Sequence, residues 1–363
     1  MQNQSEPVKG AGTLNILVAL SGGVDSSVAA ALLQEAGHGV SGLHFILPSP
    51  EDVTRQRVSR ARAVADHLKI PLEILDLSDI FERELIAPFV EAYMNGLTPN
   101  PCVHCNPTIK FEQMYRHLLR HQFQFMATGH YVRVKRPGKN NPISLWRGKD
   151  PQKDQSYFLH RLTQRQLSKT IFPLGHMTKV QTRTHARELN LPSHGESESQ
   201  EICFIPQMDY RHFIESRKKN AASQKGPIIN LKGDTVGEHD GIHRYTIGQR
   251  HGLGIASSRP YYVKALEPEG NRVIVGRRED LFSSEVCATD FHWISPFEPD
   301  GHETISAQVR YRHKPAPGRL KALAPGRVKF IFDQPQSAIT PGQALVCYEG
   351  ERVLGGGWIV QDI

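Results

Sequence analysis

The sequence predicts an α/β protein in which an N-terminal domain with a parallel sheet is followed by a small, mostly β domain and a C-terminal antiparallel β-barrel. Two patterns lead to this prediction. In the first part of the chain, short apolar runs alternate with helical segments, which is the rhythm of a parallel sheet with crossover helices. From about residue 285 onward, short strands of alternating polarity are separated by turns such as Ala324-Pro325-Gly326, which is typical of a closed or nearly closed barrel.

The N-terminal pattern is regular enough to place individual elements. Ligands of such sheets bind beyond the carboxyl ends of the strands. The glycine-rich turn after the first strand, the region of Phe45 and the segment Thr128-Gly129-His130 are therefore expected to converge on one nucleotide. Strands are predicted at residues 14–20, 40–46, 72–77 and 125–127, and helices at residues 26–34, 55–68, 83–94 and 109–121. Further helical segments are expected over 164–189, and a basic loop over 133–141.

Changes in composition divide the chain into four segments. Residues 1–12 are polar and are predicted to be a disordered lead-in rather than a secretion signal. Residues 13–210 form the predicted parallel-sheet domain, residues 211–280 a small β-rich domain, and residues 281–363 the barrel domain. In the barrel segment, alternating runs are expected at 305–311, 328–332, 344–348 and 358–360.

Composition narrows the class of protein. A chain of 363 residues can hold two or three cores, and no uninterrupted apolar run of the ~18 residues that a membrane span needs is present. The 44 basic side chains exceed the 37 acidic ones, and the net charge of +7 suits a polyanionic partner such as nucleic acid. The five cysteines are odd in number, so a disulfide framework is not expected and a reducing cytoplasm is the predicted location.

Residues 21–27 read Ser-Gly-Gly-Val-Asp-Ser-Ser and follow the first predicted strand directly. Gly22 and Gly23 allow the backbone to approach a phosphate closely, and the amides of the next helix then face the anion. The loop is not of the Walker type, because no lysine stands at the required place. It resembles the PP-loop of ATP pyrophosphatases, which split ATP into AMP and pyrophosphate.

Two cysteines three positions apart, Cys102 and Cys105, lie in a segment punctuated by prolines that is predicted to be a loop just before a helix. The helix dipole, His104 and Lys110 are expected to lower the pKa of these thiols. Three active roles stay open: a zinc site with Cys203 as a third ligand, an iron–sulfur cluster on the same cysteines, and direct thiol chemistry. Inert buried cysteines are the fourth reading. Cys203 itself has apolar neighbours, which are equally typical of a core cysteine.

Taken together, these motifs resemble one family, the tRNA-specific 2-thiouridylases (MnmA family). Besides the glycine loop, the cysteine pair and Ile-Cys-Phe-Ile around Cys203, the resemblance extends in family order from Asn15 to Trp358. It includes Thr-Gly-His-Tyr at 128–131, Lys-Asp-Gln-Ser-Tyr-Phe-Leu at 153–159, Phe-Pro-Leu-Gly at 172–175, Gly-Glu-His-Asp-Gly at 237–241, Tyr-Thr-Ile-Gly-Gln-Arg at 245–250 and Thr-Pro-Gly-Gln at 340–343.

The resemblance implies an N-terminal PP-loop domain of the adenine nucleotide α hydrolase-like fold and an ATP-dependent reaction with Mg²⁺. ATP would adenylylate the C2 oxygen of the wobble uridine in tRNA, and sulfur would replace that oxygen. Cys105 matches the family's catalytic cysteine, and Cys203 matches the cysteine that carries the incoming sulfur as a persulfide. The residues matching those that hold ATP are Ala19, Leu20, Ser21, Gly22, Gly23, Val24, Asp25, Ser26, Phe45 and Gly129.

The resemblance also implies partners: a tRNA with a modifiable wobble uridine and a protein that delivers persulfide sulfur, with the chain acting as a monomer away from membranes. Residues matching family positions near the target base or tRNA are Asn100, Pro101, Cys102, Lys153, Asp154, Gln155, Arg310 and Tyr311. Among the residues matched to ATP or tRNA, two differ from the residue that is usual in the family. Phe45 stands where a methionine is usual, and Cys102 stands where we expect aspartate. Because cysteine is the better iron ligand, Cys102, Cys105 and Cys203 keep an iron–sulfur cluster open beside persulfide chemistry.

Two rival functions remain on the sequence. Amidation enzymes such as GMP synthetase also use PP-loops, but they do not call for the cysteine pair or a basic C-terminal barrel. A binding module for tRNA or an iron–sulfur cluster, with a vestigial nucleotide loop, is the non-enzymatic alternative. The intact run from Ser21 to Ser27 argues against it.

Overall fold

The computed structural model describes residues 12–138, 141–195, 202–205, 209–218, 224–294 and 305–361. The predicted lead-in, apart from Gly12, lies outside the described residues. Among the described helices, none combines the length and the apolar character that crossing a membrane requires.

The N-terminal domain is built on the predicted parallel sheet. Its central strand is buried almost completely, with Ile16, Leu17 and Val18 at most 1% exposed. Such a run suits a strand that is covered by helices on both faces. The strands are β1 (Asn15–Ala19), β2 (Gly39–Ile46), β3 (Leu72–Asp76), β4 (Phe125–Ala127) and, later in the chain, β7 (Thr170–Ile171), in the order β3-β2-β1-β4-β7 and all parallel. The carboxyl ends of β1, β2 and β4 therefore share one edge of the sheet.

Helices cover this sheet, and two of them contain π-helical turns where the prediction had regular helix or loop. They are α1 (Val24–Glu35), α2 (Glu51–Leu68), α3 (Ser78–Phe81), α4 (Ala87–Met94), α5 (Pro101–Cys105), α6 (Phe111–Arg120), α7 (Ser156–Leu159), α8 (Gln164–Lys169) and α9 (Lys179–Glu188). The π turns are Glu82–Ile86, before α4, and Asn106–Lys110, between α5 and α6. The predicted helical stretch 164–189 is interrupted by β7, whose two residues pair with β4.

The middle domain is the small β unit that the composition predicted. Helix α10 (Tyr210–Arg217) leads into it, and its core contains Ile228, Val263, Val273 and Val275, all fully buried. Its strands are β8 (Gly226–Asn230), β9 (Thr235–His239), β10 (Tyr262–Glu267) and β11 (Arg272–Gly276), in the order β10-β11-β8-β9.

The C-terminal domain is a closed antiparallel barrel, as predicted. Its strands are β12 (Phe282–Trp293), β13 (Ile305–Gln308), β14 (Ala316–Ala324), β15 (Arg327–Ser337), β16 (Ala344–Glu349) and β17 (Arg352–Ile359). The order β12-β15-β14-β13-β16-β17 closes because β12 pairs with β15 through its first half and with β17 through its second half. Among the six described barrel strands, closure leaves no unpaired strand edge.

A hairpin of the N-terminal domain extends the barrel sheet. Strands β5 (Val132–Lys135) and β6 (Ser144–Arg147) pair with each other, and Leu145 of β6 lies opposite Val353 of β17. The predicted basic loop was therefore wrong for residues 133–135. Alternation of Val132 and Val134 with Arg133 and Lys135 buries two valines against the shared core, which ties the barrel to the N-terminal domain.

Candidate active site at the carboxyl edge of the parallel sheet

The glycine loop links β1 to α1 and is closed by its own serine side chains. The Ser26 hydroxyl donates to the Gly23 carbonyl at 3.0 Å and accepts from the Ser21 backbone N–H at 3.2 Å. The Ser27 hydroxyl also donates to Gly23, at 2.9 Å. Gly23 is the N-cap of the twelve-residue helix α1 and has no side-chain cap. The first turn of α1 thus presents backbone N–H groups and the positive end of the helix dipole, which suit a phosphate.

Two glycines let neighbouring segments approach the loop closely. Gly22 has a φ of +82°, and a Cβ there would lie 2.8 Å from the backbone nitrogen of Ala61 on α2. A Cβ at Gly129 would lie 2.7 Å from the carbonyl carbon of Asp25. The segment that follows β4 therefore packs directly on the first turn of α1, whereas contact of Gly129 with a nucleotide stays a prediction. A side chain larger than hydrogen would separate the two.

A buried ion pair that the sequence analysis missed fixes this corner. The Lys179 ammonium, on α9, lies 2.7 and 2.8 Å from the two carboxylate oxygens of Asp25. The Tyr131 hydroxyl donates to the same carboxylate at 2.7 Å. Asp25 is about one-third exposed, whereas Lys179 is nearly buried. The Lys179 ammonium thus offsets the negative charge of Asp25 beside the glycine loop, where a bare carboxylate would repel a phosphate.

Phe45 lies near the end of β2, at the same edge of the sheet. It is half-buried and packs between the main cluster of the N-terminal domain and the cluster around Phe81. The neighbouring His44 is buried, and its Nδ1 lies 2.8 Å from the Leu20 carbonyl oxygen. Burial lowers the pKa of His44, so this side chain is a neutral structural group that ties β2 to the start of the loop. Contact of Phe45 with adenine stays a prediction.

The cysteine pair lies in a helix and not in the predicted loop. The Asn100 side chain caps α5 by accepting from the Val103 N–H at 3.4 Å, and Pro101 occupies the first helical position. Helix α5, the π turn 106–110 and α6 then run on without a break. We call residues 101–120 the thiol helix. Its first turns hold Cys102 and Cys105, and a π turn directly after a thiol is a frequent mark of a functional site.

Burial, and not the helix dipole, has the largest effect on the pKa of these thiols. The sequence-based prediction that their pKa is lowered was therefore wrong. Burial raises the pKa of Cys105 to about 12, although Lys110 and its backbone N–H act in the opposite direction. Cys102 is exposed as a residue, but crowding around its thiol raises that pKa as well. Burial alone would lower the pKa of Lys110, but Cys105, Cys203 and Cys102 raise it to about 12. The Lys110 ammonium therefore lies close enough to interact with all three thiols.

Cys203 is brought to the same place by a long-range contact. The Arg57 guanidinium, on α2, donates to the Cys203 carbonyl oxygen at 3.1 Å across 146 positions of sequence. The next residue, Phe204, is buried edge-on against Phe81 and Phe89 at centroid distances of 5.8 and 5.3 Å. Cys203 is half-buried and packs against the cluster that contains Cys105. The structure thus unites the two thiols that the sequence singled out.

Two histidines near the thiols are neutral. Burial lowers the pKa of His130 to about 3, with a smaller contribution from Lys110, and its Nδ1 lies 2.8 Å from the Thr128 hydroxyl. Burial also lowers the pKa of His104. Neither side chain is therefore a resident cation at neutral pH. The expected role of His104 in lowering a thiol pKa is wrong for this structure, and Lys110 alone fills it.

The residues predicted to contact tRNA form two groups. In one group the side chains bond within the N-terminal domain, and the other group lies on the barrel. Asp154 is 8% exposed; its Oδ2 accepts from the Ser156 hydroxyl at 2.8 Å and its Oδ1 from the Gly148 N–H at 3.0 Å. Gln155 accepts from the Tyr131 N–H at 2.9 Å. These two side chains shape the loop that presents Lys153. Both side chains therefore have a structural role, and direct contact of either one with tRNA stays a prediction.

The second group lies on the barrel and reaches toward the thiol helix. Tyr311 packs on Phe158 with ring centroids 4.2 Å apart, and the Phe158 carbonyl accepts from the Asn106 amide at 3.3 Å. Asn106 directly follows Cys105. Gln308 holds this loop through its side-chain amide, which donates to the Arg310 carbonyl at 3.1 Å. The exposed Arg310 and the half-buried Tyr311 therefore lie on a path from the barrel surface to the thiols.

Comparison with known proteins identifies the chain at family level. The matching family models are the tRNA methyl transferase HUP domain over residues 14–207, the tRNA methyl transferase PRC-barrel domain over 211–277 and the aminomethyltransferase β-barrel domain over 283–359. A tRNA-specific 2-thiouridylase MnmA of Syntrophotalea carbinolica is 45% identical over 349 residues, covering 95% of this chain and 98% of the relative. The chain belongs to the MnmA family.

Other MnmA proteins match equally well. Those of Desulforudis audaxviator and Moorella thermoacetica are each 45% identical, over 95% and 94% of this chain and 98% of their own lengths. Solved structures are more distant. The U34-tRNA thiolase NcsA from Methanococcus maripaludis shares 18% identity over 60% of this chain and 68% of its own, with a TM-score of 0.36. So weak a likeness says nothing about the site.

Within this MnmA chain, sequence reasoning missed the groups that orient the site. Arg57 and Lys179 lie on helices rich in exposed charge, and no local pattern separates them from the solvated arginines and lysines nearby. Lys110 was noticed only as a neighbour of Cys105. The one available signal was its position five residues after that cysteine, at the end of the π turn.

Proposed function

We propose that the protein replaces the C2 oxygen of the wobble uridine in tRNA with sulfur, at the expense of ATP. The observation that carries the proposal is the meeting of Cys105 and Cys203 around the Lys110 ammonium, at the edge of the sheet where the glycine loop opens. A nucleotide loop alone fits many acceptors. Two thiols beside one buried cation fit the transfer of sulfur.

The glycine loop supplies the activation of the oxygen. The first turn of α1 holds the phosphates of ATP through its backbone N–H groups, and Lys179, from α9, offsets the negative charge of Asp25 next to them. The O2 atom of uridine attacks the α-phosphorus, the N3 proton leaves, and pyrophosphate departs with the electron pair of the broken bond. Fixed donors stabilise the charge that builds on this leaving group.

Mg²⁺ would accompany ATP and neutralise the pyrophosphate charge. Asp25 is the one carboxylate within the segment 19–27, and its side chain is one-third exposed while Lys179 and Tyr131 hold it in place. A partly exposed carboxylate beside the phosphate site fits the oxygen ligands that this ion prefers. Asp25 would hold the ion, and Mg²⁺ would then replace part of its contact with the Lys179 ammonium.

Sulfur transfer follows from the two thiols. A carrier protein leaves a persulfide on Cys203, whose terminal sulfur forms a bond to C2 as the C2–O bond breaks and AMP departs. The Cys105 thiolate then attacks the Cys203 sulfur. The S–S bond to the base breaks, its electron pair goes to the sulfur on C2, and N3 regains its proton. A Cys105–Cys203 disulfide remains, and a thiol reductant must reopen it before the next turnover.

An iron–sulfur cluster is the second candidate, because Cys102 adds a third thiol that is coupled to the same ammonium. Three cysteine ligands and one open iron would let a sulfide bind and attack C2. Iron and acid-labile sulfide analysis of protein purified without oxygen decides between the two. Persulfide chemistry requires activity in iron-free protein, whereas the cluster requires that activity follow the iron content.

The central test is mass spectrometry of nucleosides from tRNA incubated with ATP, a persulfide donor and the enzyme. The expected product gains the mass difference between sulfur and oxygen, which a methyl group would not give. Cys203→Ser should abolish the product and leave tRNA affinity within about twofold, since the serine keeps the fold but cannot carry sulfur. Cys287→Ala, in the barrel, is the matched control and should stay active.

Two results would contradict the proposal. Full thiolation by Cys203→Ser would remove the persulfide carrier from the mechanism. Pyrophosphate release that is equally fast with small acceptors and with tRNA would favour the amidation enzymes. Size-exclusion chromatography with and without tRNA tests the further prediction that a monomer binds the tRNA.

A further inference from the structure

A second cluster of ligand-type side chains lies at the opposite end of the thiol helix. Glu73 is on the edge strand β3, and His117 and His121 lie one turn apart at the end of α6. Each offers one nitrogen or oxygen atom, and these three atoms all lie within 4.8 Å of one another. Cys105 is twelve residues before His117, which is about 18 Å along a helix, so the cluster is separate from the thiols.

The distances suit a tetrahedral metal ion. Zinc bonds of about 2.0–2.1 Å to nitrogen and oxygen place neighbouring ligands about 3.3 Å apart. His117 Nε2 and Glu73 Oε2 are 3.2 Å apart. A hydrogen bond would account for that one distance. The exposed His121 ring stacks on His117 at 4.2 Å between centroids, so rotation of the His121 side chain would bring its nitrogen into line with the ion.

We propose that Glu73, His117 and His121 bind one divalent transition-metal ion, with zinc the best fit. Two imidazoles and one carboxylate are a common ligand set for zinc and its neighbours, whereas magnesium and calcium favour oxygen ligands alone. His117 is 7% exposed and already held in place, so little ordering is needed there. The open side, next to exposed His121 and Glu73, leaves the fourth position for water.

The ion would add metal–ligand bonds between two elements that meet at this cluster through the contact of His117 with Glu73. It would tie the edge strand β3 to the carboxyl end of α6, and α6 is continuous with the turn that carries Cys105. Binding to the folded state alone raises stability, so the expected consequence is a firmer thiol helix at its far end. Arg120, in the last turn of α6, is the nearby charge that opposes the cation.

The experiment must separate this cluster from the thiols, because cysteine thiolates are themselves strong zinc ligands. Untagged, chelator-treated Cys102→Ser/Cys105→Ser/Cys203→Ser protein is titrated with Co²⁺ and, separately, with Zn²⁺, by absorption and calorimetry. We expect one ion per chain, visible d–d bands and no thiolate charge-transfer band. His121→Ala and Glu73→Gln, both at exposed positions, should each weaken binding at least tenfold and abolish the rise in Tm that Zn²⁺ causes.

His185→Ala is the matched control. His185 is also on a helix between two carboxylates, 3.2 Å from Glu35 and 3.5 Å from Glu188, yet its ligand atoms do not form such a cluster in the described structure. Its loss should leave metal affinity unchanged. No metal binding by the triple-serine protein, or equal affinity in His121→Ala, would overturn the proposal. Binding lost only with the cysteines would do the same, because it would place the ion at the thiols.

Discussion

Cys105, the proposed nucleophile, is a thiol that the resting structure keeps protonated. Burial raises its pKa to about 12, and the nearby Lys110 ammonium offsets only part of that effect. The thiol is therefore safe from oxidants at neutral pH and becomes reactive when its surroundings change. In the proposed reaction, Lys110 is the group that stabilises the thiolate once the proton leaves, because it stays charged throughout.

Alkylation by iodoacetamide should reveal this suppression. At pH 8, a thiol with a pKa of about 12 has roughly a thousandfold less thiolate than an unfolded cysteine with a pKa near 8.5. We expect Cys105 to react 100-fold or more slowly in the folded protein than in urea, with a rate that rises through pH 10. Peptide mass spectrometry reads each cysteine separately, and equal rates in both states at pH 8 would contradict the burial argument.

The raised pKa of Cys105 also makes the free energy of unfolding depend on pH. The folded state keeps the Cys105 proton above pH 8.5, where the unfolded chain loses it, so this contribution to stability is complete below pH 8.5 and declines as pH rises toward 12. The free energy of unfolding should therefore fall at alkaline pH less steeply in Cys105→Ala than in the original chain.

Arg57 is predicted to act as a positioning residue. Arg57→Ala removes a charged donor to the Cys203 carbonyl, a bond of the class worth roughly 1.5–3 kcal/mol, so the rate of thiolation should fall about tenfold or more. Because the bond holds Cys203, the proposed sulfur carrier, and not the glycine loop, kcat should fall while KM for ATP stays the same. Oxidative formation of the Cys105–Cys203 disulfide should also slow.

Arg55→Ala on the same helix is the control for Arg57. Arg55 is exposed, with a single ion pair to Glu51 at 3.7 Å, and its loss should be close to neutral. Arg57→Lys should restore part of the activity, since an ammonium can still reach a carbonyl. Unchanged kcat and unchanged disulfide formation in Arg57→Ala would show that the contact has no such role.

At the residue scale, the sequence identified residues of distinctive chemistry but not the surroundings that the fold gives them. Cys105 and Cys203 stood out by type and neighbours. Their burial did not, because it depends on Phe81, Phe89 and other groups far away in the chain. The direction of the pKa shift was therefore predicted with the wrong sign for Cys102 and Cys105.

At the scale of elements, the thiol helix and the glycine loop are held by neighbours on both sides. Helix α1 packs on α9 through Asp25 and Lys179, and the segment after β4 fits against α1 only because residue 129 is glycine. These contacts act on backbone that must keep its shape to hold a phosphate. The loop is thus rigid because of its surroundings, and not only because of its own serines.

Lys179→Met should test the contact between α1 and α9. Loss of one partner from a buried ion pair costs about 3–5 kcal/mol; because Asp25 still reaches water and Tyr131, we expect a loss of roughly 1–3 kcal/mol in unfolding free energy. KM for ATP should rise, since the charge beside the phosphates is gone. Urea unfolding and steady-state kinetics measure both effects.

Val180→Ser, at the next position of α9, is the comparison for Lys179→Met. Val180 is 75% exposed, so its substitution should change the unfolding free energy by less than about 0.5 kcal/mol. A Lys179→Met variant as stable as Val180→Ser, with unchanged KM, would remove the ion pair from the account of the site.

The elements that the sequence predicted well are those with strong local patterns. The parallel strands are apolar runs, and the barrel strands alternate in polarity. Both patterns can therefore be recognised from the sequence alone. The hairpin β5–β6 was missed because its strands are four residues long and its second partner, β17, lies about 200 residues later. The start of the thiol helix was missed because Pro101 was read as a breaker, although proline suits the first turn of a helix.

On the scale of the whole molecule, the barrel and the N-terminal domain share one core. Leu17 of the parallel sheet and Val346 and Val353 of the barrel belong to the same buried cluster. The shared core fixes the barrel loop with Tyr311 against Phe158, beside the thiol helix. A tRNA held on the barrel would therefore meet the thiols at a set distance.

Tyr157→Phe should loosen this connection. The Tyr157 hydroxyl donates to the Ala344 carbonyl at 3.0 Å and accepts from the Ala344 N–H at 3.2 Å, and both residues are buried. Without the hydroxyl, two backbone groups at the start of β16 lose their partner, at a cost of about 1–3 kcal/mol each. We expect lower stability of the barrel and slower thiolation, with ATP binding retained because the glycine loop is remote from β16.

The chain offers separate reporters for the two domains in this test. Trp146 lies on the hairpin of the N-terminal domain, so the test uses a Trp146→Phe background, in which the remaining Trp293 and Trp358 both lie on strands of the barrel; circular dichroism at helical wavelengths reports mainly on the N-terminal domain. Tryptophan fluorescence should therefore change at lower urea than circular dichroism in Tyr157→Phe, while the two coincide in the original chain. Tyr261→Phe, which keeps the ring under Arg277 in the middle domain, should leave them coincident. Coincident curves in Tyr157→Phe would mean that the shared apolar core alone couples the domains.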